Sequence, residues 1–78
     1  MKLVNIGTNQ TELQFDNNYT QVFFSYETPV AAYSNDSGYI RTDVSYSSTT
    51  TRHINKWVGD NKCETVSQDV INNLVKTY

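Results

Sequence analysis

One cysteine, one histidine, one proline and three glycines occur in this chain of 78 residues, and each scarcity removes a class of explanation. The single Cys63 excludes a disulfide within the chain and cannot build a zinc site alone, which points to a reducing compartment or to no redox role. His53 has no cysteine, aspartate or second histidine at ligand spacing, so no metal and no cofactor is expected. Gly7, Gly38 and Gly59 are isolated and form no phosphate-binding loop; each has a turn or cap position available. Charge of one sign is lacking too. Eight acidic and six basic side chains leave a net charge of −2, neither a field that gathers nucleic acid nor the acidic density of a DNA mimic. Residues 1–7 lack the apolar run of a signal peptide, and nowhere do about 18 apolar residues follow one another, so a cytoplasmic protein without membrane association is expected.

What is present is aromatic and polar. Six Tyr, three Phe and one Trp stand in a chain that is 37% hydrophobic, so large flat side chains must supply much of the buried area. At this length about 60% of the unfolded surface is buried on folding, enough for one domain, 1–78, with a thin core. Asn, Ser and Thr fill roughly a third of the chain, lowering the drive to fold, but the aromatic patterning argues against disorder. Asn-x-Ser/Thr triplets at Asn9, Asn18 and Asn35 are what such a composition makes by chance.

Ser47 to Gly59 is the one segment with a start, a face and a stop. Ser47 or Ser48 is suited to accept from the free N–H groups of a first helical turn, and Gly59 to close the helix in the left-handed conformation. Thr50, Ile54, Trp57 and Val58 share one side, while Arg52, Asn55 and Lys56 lie mostly away from it. Three successive threonines are weak helix formers, so a sheet is needed beneath, with Trp57 as anchor. A second helix begins at Ser67, with Val70, Ile71, Leu74, Val75 and Tyr78 three and four apart, Val66 as a staple on Ile71 and Asp69 in the first turn.

Before the first helix the chain reads as strands. Leu3–Ile6 and Thr11–Phe15 flank a turn and suit a hairpin, and Asp16-Asn17-Asn18 is a second turn. Tyr19 to Tyr33 reads as the main strand, bent or bulged near Pro29 or at an edge there, with Val22, Phe24 and Tyr26 on one face and Phe23 on the other. Either both faces are partly buried or Phe23 meets a partner, and a second copy pairing edge to edge would make a homodimer. Ser34–Gly38 is a turn between Val30–Tyr33 and Tyr39–Val44. Residues 60–65 show no periodicity and read as a loop. The expected fold is α+β, a small antiparallel sheet of three to five strands with two C-terminal helices packed on one face.

Chemistry is hard to place on this frame. A Ser-His-Asp set from His53, Asp43 and one of Ser45 to Ser48 can be drawn only because hydroxyls are abundant. On its helix His53 falls near Thr49, Thr50 and Trp57, where a hydroxyl or carbonyl can orient its ring. Cys63 beside Lys62 invites a slightly activated thiolate, although a structural thiol is the plainer reading. Carboxylates are scattered, and none stands in an apolar stretch. The one cluster to weigh is basic and aromatic: Arg52 and Lys56 four apart on one helix, Arg41 and Lys62 nearby, and Tyr33, Tyr39 and Tyr46 as stacking platforms. Four cations make a small footprint, and a solvated helix face with packed Tyr rings explains them as well.

Two ordered motifs, Ser25-Tyr26-Glu27-Thr28-Pro29-Val30-Ala31 and Tyr46-Ser47-Ser48-Thr49-Thr50-Thr51-Arg52-His53-Ile54-Asn55-Lys56-Trp57, give the chain its one likeness. Over about half its length it resembles an uncharacterised family of small phage and prophage domains, which carries a Ser-Tyr-x-Thr-x-Val-Ala strand and a Ser-x-Thr-Thr-x-x-His-Ile-Asn-x-aromatic helix. The resemblance implies an α+β domain of phage origin and supplies no catalytic residues. With the composition, it leads to the expectation of a non-enzymatic accessory protein in an infected cell. Such a protein would bind a host protein, for instance as an anti-defence, anti-CRISPR-like inhibitor, through Tyr33, Tyr39, Arg41, Arg52 and Lys56. The alternative is a nucleic-acid-binding module using the same basic and aromatic face.

Overall fold

The computed structural model describes residues 2–15 and 20–77. The turn expected at Asp16-Asn17-Asn18 and the last expected helix residue, Tyr78, lie outside them. Six strands form a single sheet in the order of the chain: β1 (Lys2–Gly7), β2 (Gln10–Gln14), β3 (Gln21–Ser25), β4 (Thr28–Ser34), β5 (Gly38–Thr42) and β6 (Cys63–Val66). The first five are antiparallel neighbours. Helix α1 (Ser48–Val58) carries the chain from β5 to β6, and such a crossover lets β6 lie parallel to β5. Helix α2 (Gln68–Thr77) follows.

Three expectations about the strands and layers are corrected. The strand expected from Tyr19, itself outside the described residues, to Tyr33 is not one bent strand: Tyr26 and Glu27 form a tight turn, and β3 and β4 pair with Phe23 opposite Ala31. Proline survives inside the sheet because the register shifts there, Phe24 facing Pro29 and leaving Val30 as the extra residue of a bulge. Residues 60–65 are not all loop, since Cys63 opens β6. That strand is four residues long with two exposed side chains, too short to leave a period in the sequence.

The third correction concerns layers. The helices cover opposite faces of a six-stranded sheet, not one face of a smaller one. Leu13, Val22, Ala32 and Ile40 point to the face where Ile71, Leu74 and Val75 of α2 pack, joined by Val66. Phe23, Val30 and Ala31 point the other way, against Ile54 and Val58 of α1. Strands apolar on both sides need two lids. Phe23 is therefore fully buried in an interior strand, and the edge pairing imagined through it is removed; the edges are β1 and β6.

The helix ends match their signals. Ser47 Oγ accepts from the Thr50 N–H at 3.1 Å. Gly59 N–H donates to Asn55 O with φ +67° and ψ −139°, so the stop is an extended positive-φ conformation that glycine reaches without penalty, and not the left-handed helical one expected. No helix among the described residues is long and apolar enough to cross a membrane.

Candidate functional site

The pairing registers align side chains into rows that run across the strands on the α1 face. One row, Glu12, Phe23, Ala31 and Arg41, lies under the helix. Trp57 stacks on Phe23 with ring centroids 5.3 Å apart and donates its indole N–H to Glu12 Oε1 at 2.8 Å. At the other flank Arg41 donates to the side-chain oxygen of Asn55 at 2.9 Å. Glu12 is the residue sequence reasoning missed: in its strand it alternates with buried Leu13 as a solvent-facing residue would, and its partner stands 45 positions away.

The next row is the open one. Lys2, Gln14, Gln21, Tyr33, Tyr39 and Cys63 stand side by side across all six strands. They lie at the C-terminal end of α1, where Trp57 meets Tyr39 edge-on at 5.5 Å. Tyr33 and Tyr39 pack at 4.8 Å, extending the Phe23–Trp57 stack into a ladder of four rings. Both tyrosines remain half-buried, with their rings held by neighbours. A cleft of about 540 Å³ opens on the Tyr33 side, toward Gln14, Gln21 and Asn35. Another, about 670 Å³, opens on the Tyr39 side, toward Ser37, Lys62 and Cys63.

The expected basic and aromatic cluster is divided. Tyr33, Tyr39 and Arg41 do share the α1 face of the sheet. Arg52 and Lys56 are exposed on α1, with Arg52 on the side of the helix opposite Ile54. Tyr46 donates instead to Gln68, at the start of α2.

His53 meets neither Asp43 nor Ser45. Its Nδ1 lies 2.9 Å from Ser25 Oγ, which is 3.1 Å from Thr50 Oγ1, and Ser47 Oγ donates to Thr50 in turn. Ser25 is only 2% exposed. This chain of hydroxyls ties the first turns of α1 to the end of β3, and it satisfies polar groups that burial would otherwise penalise. The orienting hydroxyl is thus that of Ser25, not a neighbour on the helix. The two sequence motifs meet here, since Ser25 and Tyr26 close β3 and the Tyr26 ring lies 6.1 Å from that of His53. Tyr26 has φ +59°, a conformation bulky side chains avoid.

Burial pushes the Cys63 thiol above its ordinary value, and the nearby Arg41 cation only partly opposes this. The activation considered from Lys62 is therefore reversed in sign: the thiolate is disfavoured. Among the described residues no three His, Cys, Asp or Glu side chains gather as metal ligands would.

A family of unknown function (DUF8033) matches the chain over residues 1–73. No curated protein and no solved structure matches it.

Proposed function

The chain belongs to the DUF8033 family, so kinship brings no activity with it, and we propose from the geometry that it is a small accessory protein acting by binding a host protein. The observation that carries this reading is the open row at the end of α1. Two tyrosines are locked by ring contacts, with the amides of Gln14, Gln21 and Asn35 lining the cleft on the Tyr33 side and Lys62, Cys63 and Glu64 the cleft on the Tyr39 side. Rigid aromatic rings bring contact area at low entropic cost, and amides adapt to a partner's polar groups, the combination on which binding surfaces rely. In its specific form the proposal is a phage-type protein working in the cytoplasm of an infected cell, where it occupies a surface of a defence protein as an inhibitor. Arg41 stands in the neighbouring row, held by Asn55 of α1, and Arg52 and Lys56 steer approach from the outer side of α1.

Capture from host lysate by the tagged protein, with and without nuclease, tests the proposal. A discrete protein retained after nuclease, and lost with Tyr33→Ala, is the expected result. Material that nuclease removes would replace this reading with nucleic-acid binding, and retention unchanged by Tyr33→Ala, Tyr39→Ala and Arg52→Glu would overturn the surface assigned.

A further inference from the structure

Not all polar groups of the open row serve the fold. Of the four glutamines, Gln10, Gln14 and Gln68 use their amides within the chain, bonding Thr8 O, Glu12 and Pro29 O respectively. Gln21 does not. Its amide, that of Asn35 and the hydroxyls of Tyr33 and Tyr39 make no hydrogen bond to another described residue. Four side chains able to donate are thus gathered around one pair of rings, with the Lys2 ammonium at the β1 end of the row and Lys62 beside the cleft at the other.

We propose that this row takes a proline-rich, extended segment of the partner, laid across the strands with an acidic residue at one end; the proposal rests on the binding reading above. A polyproline II segment presents carbonyl acceptors and few N–H donors, the amides and hydroxyls of the row can each donate to such carbonyls, and its prolyl rings pack on aromatic faces. Dimensions agree. From Gln14 to Cys63 the row crosses four inter-strand spacings, about 19 Å, the length of about six residues at 3.1 Å each. The ring pair stands between the two clefts, so prolines on either side of it have a place to sit. The middle of the row is uncharged; Lys2 stands at its β1 end, while Lys62 shares the cleft at the β6 end with Glu64, so an acidic flank on a neutral core is favoured at the β1 end. A nucleic-acid strand fits less well, because its phosphates would need cations along the whole row.

The test is a titration of the full-length ¹⁵N-labelled protein with a panel of blocked ten-residue peptides. Each has a six-residue proline-rich core and acidic, basic or neutral flanks; a Gly-Ser peptide with acidic flanks and oligo(dT) are the comparisons. Shifts confined to residues 14, 21, 33–39 and 62–63, strongest for acidic flanks and weakened roughly tenfold by Tyr33→Ala, are expected. Gln21→Ala, which removes no side-chain hydrogen bond to another described residue, should weaken binding by about threefold and leaves the rest of the spectrum as a check of folding. Equal binding of the Gly-Ser peptide, no shifts with any proline-rich peptide, or tighter binding of oligo(dT) would overturn the proposal. A host protein captured through Tyr33 while every peptide fails would sink the proline-rich segment and leave the binding surface standing.

Discussion

The Trp57 indole lies flat on Phe23 while its N–H reaches Glu12 in β2, so one side chain ties α1 to two adjacent strands. Stacking and hydrogen bonding can be separated by substitution. Trp57→Ala removes both and is expected to cost about 3 to 5 kcal/mol in chemical denaturation. Trp57→Phe keeps a ring over Phe23 and should lose only about 1 to 2 kcal/mol, with Glu12→Ala in the Trp57→Phe background adding little further. Additive losses from the two substitutions would show that the bond does not couple them.

Ser25 is the hinge of the hydroxyl chain that includes Thr50 and His53. Ser25→Ala leaves both partners without their bond in a closed site, and a loss of about 1 to 3 kcal/mol in urea denaturation is expected. Because the Ser25 hydroxyl is sealed from solvent, a fluorophosphonate probe should leave it unlabelled. Rapid labelling would turn this structural serine into a nucleophile.

Cys63 offers a readout of pH. Its thiol value is raised by burial, so less thiolate is present near pH 8 than on an unstructured cysteine, and alkylation by iodoacetamide should be slower on the folded protein. Arg41→Ala removes the one charge that lowers the value, and should slow the reaction further and move its pH midpoint upward. Faster alkylation in that variant would mean that access, not ionisation, limits the rate. The same shift acts on stability: the folded state holds its thiol proton longer than the unfolded chain, so this contribution is present below the ordinary thiol value and is lost as pH rises through the folded one.

Tyr26 holds a left-handed φ in a two-residue turn, which costs a residue with a Cβ about 1 to 2 kcal/mol. Glycine escapes that cost and loses about 0.5 to 1 kcal/mol of backbone entropy instead. Tyr26→Gly should therefore be neutral or stabilising by up to about 1 kcal/mol in thermal or urea melts. A loss above about 1 kcal/mol would show that packing of the exposed ring on His53 outweighs the backbone cost.

Local signals determined much of this protein. Ser47 and Gly59 bracket α1 because capping is decided by the residue at the helix end and its nearest neighbours. The spacing of Val70, Ile71, Leu74 and Val75 marks α2, and Ser34–Gly38 marks the β4–β5 turn, for the same reason. Tyr33, Tyr39 and Arg41, expected as members of one basic and aromatic cluster, do share a face of the sheet, while Arg52 and Lys56 stand on the exposed side of α1. What only the tertiary structure decided depends on contacts between distant positions. A turn at Tyr26-Glu27 lacks the glycine or asparagine that announces a tight hairpin, so β3 and β4 read as one strand. Short β6 acquires its identity from hydrogen bonding to β5, not from its own pattern. Which face each helix covers follows from the crossover between β5 and β6, and the period of a strand cannot say which side a later helix will take. The row that unites Gln21, Tyr33 and Tyr39 arises from register across three strands, and register is a property of pairing that no single segment contains.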